Sequence, residues 1–590
     1  MAPMIKIEGG ILVMFKVIVK QISWGVAFLS LMVLASCGAV ENDTRQEVAD
    51  HIFVNGAVYT LEEDMPWAEA VAVKGDEIIF VGTTAEARAY AGPDTQTRDL
   101  NKGFMLPGFI DTHAHPIMGG AYAKALSLDT FASPEDWLTA VGIYAEENKD
   151  LPLIFGYGFL ATAFGETGPT KEMLDKAVPD RPVFIMDEGF HSGWGNSKAL
   201  EALGITKDTA DPTPGFNYYK RDQAGQPTGW FLEGTASMAM DQLNVFTVSS
   251  ITEGTKLIFD IMNSYGITSV FDAGALDVAD LALGVLERLA AADEFSVRLV
   301  GSYMVASPDQ MAGALDVVEN LAKTTKTEDY HIRMLKIMDD GTVEGRTAGM
   351  FVDYQGDPGN KGTTVFTQAE LSTMVVEAAA RQIDVHIHAL GERAIHEALN
   401  AIEAARIVHG DSSSRYTICH IQVMTDAAVR RFAELDVIAQ STPLWASYDR
   451  EGEQFVSEDQ FSRYFRYNSL KQAGVRLTFG SDFPASGAGT LGMSPLFNME
   501  VGVTRQQAGE PEAAVQPSVD ERLDVASLIR GYTSDAAYQL HMENEIGTIK
   551  VGKKADLIIL DQNPFDAKTY EIHKIQVEMT MKGGRVVYGK

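Results

Sequence analysis

Pro107-Gly108-Phe109-Ile110-Asp111-Thr112-His113-Ala114-His115-Pro116 decides the reading of this chain. The apolar run from Phe104 to Ile110 predicts a buried strand, and it ends in two histidines at i and i+2. Residues two apart on a strand point to one face. Two imidazoles on one face, at the end of a buried strand, can bind one metal ion from one side. In a chain with 12 His among 590 residues such a pair needs context. The context is that Lys336, His388, His420 and Asp482 also lie at the ends of expected strands.

Working outward, strands alternate with helices, the pattern of a parallel α/β sheet or barrel. Helix 253–264 leads into a strand at Ile267–Asp272, and further strands are expected at Val297–Val305, Arg333–Met338, Val385–Ala389, Tyr416–Gln422, Val437–Ser441 and Leu477–Asp482. Thr367-Gln368-Ala369-Glu370 is a capping box that opens a helix. With Phe104–Asp111 there are eight strand–helix units, which describes a TIM (β/α)8 barrel over 104–544. The stretch 120–250 is too long for one crossover and reads as an insertion after the first barrel strand. It has a helix opening at Ser133-Pro134 and a strand at Val183–Met186. In such a barrel these loops cover the active-site face. Residues 50–103 and 545–590 read as short strands with Asn55-Gly56, Gly75-Asp76 and Gly583-Gly584 turns. Neither segment buries a core alone, so the two are expected to form one composite β-sandwich.

The N-terminus reads as a targeting segment. Lys16 and Lys20 precede an apolar stretch from Ile22 to Leu34, then Leu34-Ala35-Ser36-Cys37. This is the layout of a secretory signal over residues 1–37. Its end resembles a lipobox, with Cys37 as the lipidated residue, and 38–49 reads as a polar tether. The expected location is the bacterial cell envelope, on the periplasmic side of a membrane and held by a lipid anchor. The formal net charge of −33 argues against a nucleic-acid partner. The expected partner is a small-molecule substrate; a homo-oligomer is compatible with the sequence, which sets no oligomeric state. Cys419, the one other cysteine, is read as a packed core residue rather than a nucleophile.

Imidazole and carboxylate donors suit zinc and similar divalent ions. A metal at the barrel mouth brings the pKa of bound water toward neutrality and polarises a carbonyl. A carboxylate beside that water can take its proton and return it to the leaving group.

These residues resemble the amidohydrolase superfamily, specifically the amidohydrolase family 3, or YtcJ-like, group. The resemblance is carried by Leu106–His115, by Leu335-Lys336-Ile337-Met338-Asp339-Asp340-Gly341 with Arg346-Thr347-Ala348, and by His388-Ala389-Leu390-Gly391-Glu392-Arg393-Ala394. Phe479-Gly480-Ser481-Asp482-Phe483-Pro484, Ile546–Leu557, His191–Ser197 and Gly225–Trp230 add to it. The resemblance implies that His113 and His115 bind the more buried metal together with Asp482, and that His388 and His420 bind a second. It implies that Lys336, carboxylated by carbon dioxide, bridges the two, and that Asp482 shuttles the proton. The metal is expected to be Zn2+, one or two ions per chain. His191, Glu233 and Arg346 are substrate-contact candidates, and His386 is read as supporting the ligands. Three positions depart from the pattern: Glu392 where Asp is usual, Cys419-His420 where Glu-His is frequent, and Asp340 as a second carboxylate beside Asp339. The function expected is hydrolysis of an amide-type C–N bond in a small molecule. The alternatives are a mononuclear deaminase or cyclic-amide hydrolase with Lys336 uninvolved, and a non-catalytic binding or sensing lipoprotein.

Overall fold

In a computed structural model of the chain, residues 47–129, 132–187, 192–212, 218–275, 278–448, 451–485 and 488–589 are described. The signal segment with Cys37, the tether up to residue 46, and His191 lie outside the described residues. Among the described residues no helix is long and apolar enough to cross a membrane.

Eight strands form one parallel sheet: β1 (Phe109–Ala114), β2 (Ile267–Asp272), β3 (Arg298–Val305), β4 (Tyr330–Met338), β5 (Asp384–Ala389), β6 (Tyr416–His420), β7 (Ile438–Ser441) and β8 (Leu477–Phe479). Neighbours in sequence are neighbours in space, from β1 round to β8. Strands β1, β2, β5 and β6 are buried along their whole length, as strands walled by helices on one side and barrel core on the other must be. The seam closes just past β8. Asp482 N donates to His113 O at 2.7 Å, and His115 N donates to Phe483 O at 2.8 Å. Asp111 locks the same seam by accepting from Ser481 Oγ at 2.6 Å and Ser481 N at 3.0 Å. Gly480 is required there, since a Cβ would stand 2.5 Å from His113 N.

The helices obey the local rules that the sequence announces. Thr367 Oγ1 accepts from Glu370 N, and Glu370 Oε2 accepts from Thr367 N, closing the capping box of helix Gln368–Ala380. Such a cap is worth about 1 kcal/mol. The helix buries Leu371, Met374, Val375 and Ala378, one stripe at helical spacing.

The first expected strand is corrected. Phe104–Asp111 is not one strand but two, broken at Gly108, because each half has its own pairing partners. Phe104–Pro107 pairs with Leu557–Leu560 and Ala57–Tyr59 in a six-stranded sheet, while Phe109–Ala114 enters the barrel. The backbone crosses between the two closely enough that a Cβ on Gly108 would lie 2.4 Å from Thr268. A second sheet of four strands, built from 51–54, 70–74, 77–82 and 96–99, faces the first. Phe53, Val71 and Ile78 from one sheet and Met105, Leu557 and Met579 from the other share a core.

The segment after β1 builds a six-stranded sheet of its own, with helices Pro134–Glu147, Lys171–Ala177, Ser197–Ala202 and Gly234–Gln242. Trp137, Phe159, Leu174 and Trp194 are among its core residues.

Candidate metal centre

Each proposed ligand stands where a barrel strand ends or just before. His113 is the fifth residue of β1, and His115 follows the strand and precedes helix Pro116–Tyr122. Lys336 lies two residues before the end of β4, His388 one before the end of β5, His420 at the end of β6, and Asp482 three after β8. Two of these positions have backbone that side chains rarely adopt: φ is +73° at His420 and +52° at Asp482. Such conformations cost on the order of 1–3 kcal/mol and gather at functional sites.

The six side chains are brought together. Asp482 Oδ1 lies 3.2 Å from His115 Nε2 and 3.4 Å from His113 Nε2. The ring centroid of His420 is 4.7 Å from that of His113 and 4.5 Å from that of His388. Lys336, 1% exposed, donates from Nζ to Cys419 Sγ at 3.1 Å.

Three histidines are held in the same manner. His115 Nδ1 donates to the Gly274 carbonyl at 2.6 Å, and His388 Nδ1 donates to Asp340 Oδ1 at 3.2 Å. His113 Nδ1 lies 3.0 Å from His386 Nε2 and donates to it in the tautomer that leaves Nε2 free. Tying Nδ1 to the protein turns the Nε2 lone pair inward, which is how metal-binding imidazoles are oriented. Asp340 is itself fixed, accepting from Leu390 N at 3.0 Å, Gly349 N at 3.0 Å and Gly391 N at 2.9 Å.

The electrostatics agree. Burial, reinforced by the Lys336 charge and by one another, holds His113, His386 and His420 well below the usual imidazole range. They are neutral and carry lone pairs. Burial also opposes charge on His115, but the hydrogen bond and charge of Asp482 outweigh it and raise the imidazole above its ordinary range. A lone pair and a carboxylate oxygen 3.2 Å apart need a proton or a cation between them. The donor set fits a divalent ion. His113, His115 and Asp482 offer ligand atoms within 4.8 Å of one another, and so do His113, Cys419 and His420. Imidazole, carboxylate and thiolate are the donors zinc prefers.

Arg346 and Glu233 sit on segments other than the strand ends that carry this cluster. Arg346 is exposed in the segment after β4, where it pairs with Asp357 at 3.0 Å and lies over the Phe455 ring. Glu233 is half-buried in the insertion, between strand Pro227–Leu232 and helix Gly234–Gln242, with φ of +52°. Glu392 makes a buried contact with Arg463 at 2.9 Å. Three neighbours of the site went unnoticed in the sequence. Gly274, which accepts from His115, and Asp272, held up at about 6 by burial, lie at or just past the end of β2, a position that could have flagged them. Trp445, 5.3 Å from the His420 ring, follows β7 with no motif to mark it.

Residues 96–588 match the model of the amidohydrolase family. The chain is 28% identical over 558 residues to the N-substituted formamide deformylase of Arthrobacter pascens, covering 92% of this chain and 99% of that one. It is 27% identical over 551 residues to the putative amidohydrolase YtcJ of Bacillus subtilis, covering 91% and 99%. An uncharacterized metal-dependent hydrolase from Pyrococcus furiosus shares the fold, with a TM-score of 0.71 at 24% identity, covering 88% of this chain and all of that one. With the family model spanning most of its length and a cluster of possible metal donors at the mouth of the barrel, the chain belongs to the amidohydrolase family and is a hydrolase acting on carbon–nitrogen bonds.

Proposed function

We propose that the protein hydrolyses the C–N bond of a small-molecule amide at the barrel mouth, with His113, His115 and Asp482 holding one divalent ion, most simply Zn2+, and His388 and His420 holding a second. The supporting observation is the shared orientation of His113, His115 and His388, each with Nδ1 bound to protein and Nε2 turned inward. Lys336, carboxylated by carbon dioxide, would place an anionic donor between the two groups. When bound, the ion supplies a Lewis acid that lowers the pKa of water and polarises the amide carbonyl. Asp482 reaches the same space. One oxygen faces His113 and His115, and the carboxylate takes the proton that water loses as its oxygen adds to the carbonyl carbon. Asp482 then returns that proton to the nitrogen, and the C–N bond breaks to release an amine. His386 and Asp340 hold the rings still while this happens.

An N-substituted formamide is the first substrate to test, because a relative that matches 92% of this chain carries that activity in its name. Glu233 and His191, which belong to the insertion, are proposed to meet the variable part of the substrate. We place the protein at the cell envelope through Cys37. The test is release of amine from N-substituted formamides, linear amides and cyclic imides by the metal-loaded protein. Wild type is expected to turn over at least one class. Asp482→Asn should lose about 10²–10⁴-fold in kcat, the usual worth of a positioned acid–base group. No turnover of any class by metal-loaded protein would refute the reading. A second reading, a mononuclear enzyme, is favoured by one contact: Lys336 Nζ is engaged by Cys419. One tightly held ion per chain, undiminished in Lys336→Met, would establish it.

A further inference from the structure

Resting on the reading of the barrel mouth as a metal centre, we infer that Cys419 is itself a metal ligand, so that β6 supplies a sulfur and a nitrogen from consecutive residues.

Consecutive residues of a regular strand face opposite ways. Cys419 and His420 do not behave so, because the left-handed backbone at His420 turns its ring back to the side that Cys419 already faces. Sγ of Cys419 and a ring nitrogen each of His113 and His420 consequently lie within 4.8 Å of one another. Donors around one zinc, at about 2.0–2.3 Å from it, stand roughly 3.3–3.8 Å apart. Side-chain adjustments of about an ångström bridge that difference.

The surroundings suit an anionic sulfur. Lys336 Nζ donates to Sγ at 3.1 Å. A lysine nitrogen that carries a carbamate keeps one N–H, so this contact is compatible with either state of Lys336. Cys419 is fully buried, which removes it from solution oxidants and substrates and argues against a nucleophile. The rings of His113, His386, His388 and His420 crowd the site, and a thiolate adds anionic charge for a divalent cation there. Cys419 Sγ donates its proton to Ile387 O at 3.3 Å. Coordination removes that proton outright, as metals do to the thiols they bind. A soft sulfur donor at this strand end suits zinc-like ions.

Zinc K-edge X-ray absorption of the zinc-loaded full-length protein reads the ligand atoms directly. A sulfur scatterer at about 2.3 Å is expected beside nitrogen or oxygen at about 2.0–2.1 Å. In Cys419→Ser the sulfur shell should vanish while zinc remains. Cobalt-loaded wild type should show a near-ultraviolet thiolate-to-cobalt band that Cys419→Ser lacks. A wild-type spectrum with nitrogen and oxygen only overturns this inference and leaves the metal centre standing. Failure of the wild type to retain any zinc overturns both. The wild-type spectrum is decisive even if the variant does not fold.

Discussion

The two ends of the barrel are both buried and differ in which polar groups face one another. At the bottom, where the composite β-sheets meet the barrel, Arg298 and Asp556 pair at 2.6 Å with side-chain exposures of 3% and 2%. Ser269 Oγ accepts from the same guanidinium, and Gly583 N donates to the same carboxylate. There opposite charges answer each other directly, with Nε of Arg298 left over. At the mouth, the imidazoles of His113, His388 and His420 abut one another, and His115 Nε2 meets Asp482 Oδ1 at 3.2 Å. The bottom pairs opposite charges, and the mouth gathers donor atoms of the kind that bind a divalent cation.

If that contrast is right, damage at the two ends should have different consequences. The largest effect on stability is expected at the bottom. Asp556→Asn leaves Arg298 buried and unpaired, which should cost about 3–5 kcal/mol in denaturant unfolding. Metal stoichiometry of the folded fraction should stay unchanged. Loss of metal with intact stability would break the comparison. At the mouth, Asp340→Asn releases His388 from its orienting carboxylate. Metal affinity should fall about 10–100-fold, read by competition with a chromophoric chelator. An unchanged affinity would show that His388 does not ligate.

A smaller effect depends on pH. Burial first, and then the neighbouring Asp340 charge, pushes Asp339 from 3.8 up to about 8. The folded state therefore keeps a proton that the unfolded chain has released. The contribution of this group to stability is complete below about pH 4 and declines as pH rises toward 8. Asp339→Asn removes the titration, so its stability should gain on wild type between pH 5 and 8 by up to about 4 kcal/mol. A constant difference across that range would contradict the assignment.

Much of this was legible in the sequence because strand ends carry their own signal. Apolar runs such as Ile267–Asp272 and Val385–Ala389 can be read as buried parallel strands, and polar residues at their C-terminal ends stand out against them. What escaped has physical reasons. Phe104–Asp111 is a continuous apolar run, and nothing in hydropathy shows that its two halves bond to different sheets; Gly108 was the only hint. Gln96–Asp99 is polar throughout and is held by pairing with His51–Val54, so no alternation marks it. The insertion was under-read because strands of two to six residues there gain their stability from partners distant in sequence. Cys419 is buried as the core reading expects, and its closeness to His113 and His420 depends on the backbone at His420, which no spacing rule encodes. Arg346 carries a motif yet turns to Asp357 instead of the centre.

The central claim is that His113, His115, His388, His420 and Asp482 form a metal centre. The most direct test is the metal content of purified, dialysed full-length protein and of His113→Ala, measured by inductively coupled plasma mass spectrometry alongside circular dichroism. One or two zinc ions per chain in the wild type, and loss of at least one in a folded His113→Ala, is the predicted result. Equal zinc in both proteins, or none in either after incubation with excess zinc, would contradict the account.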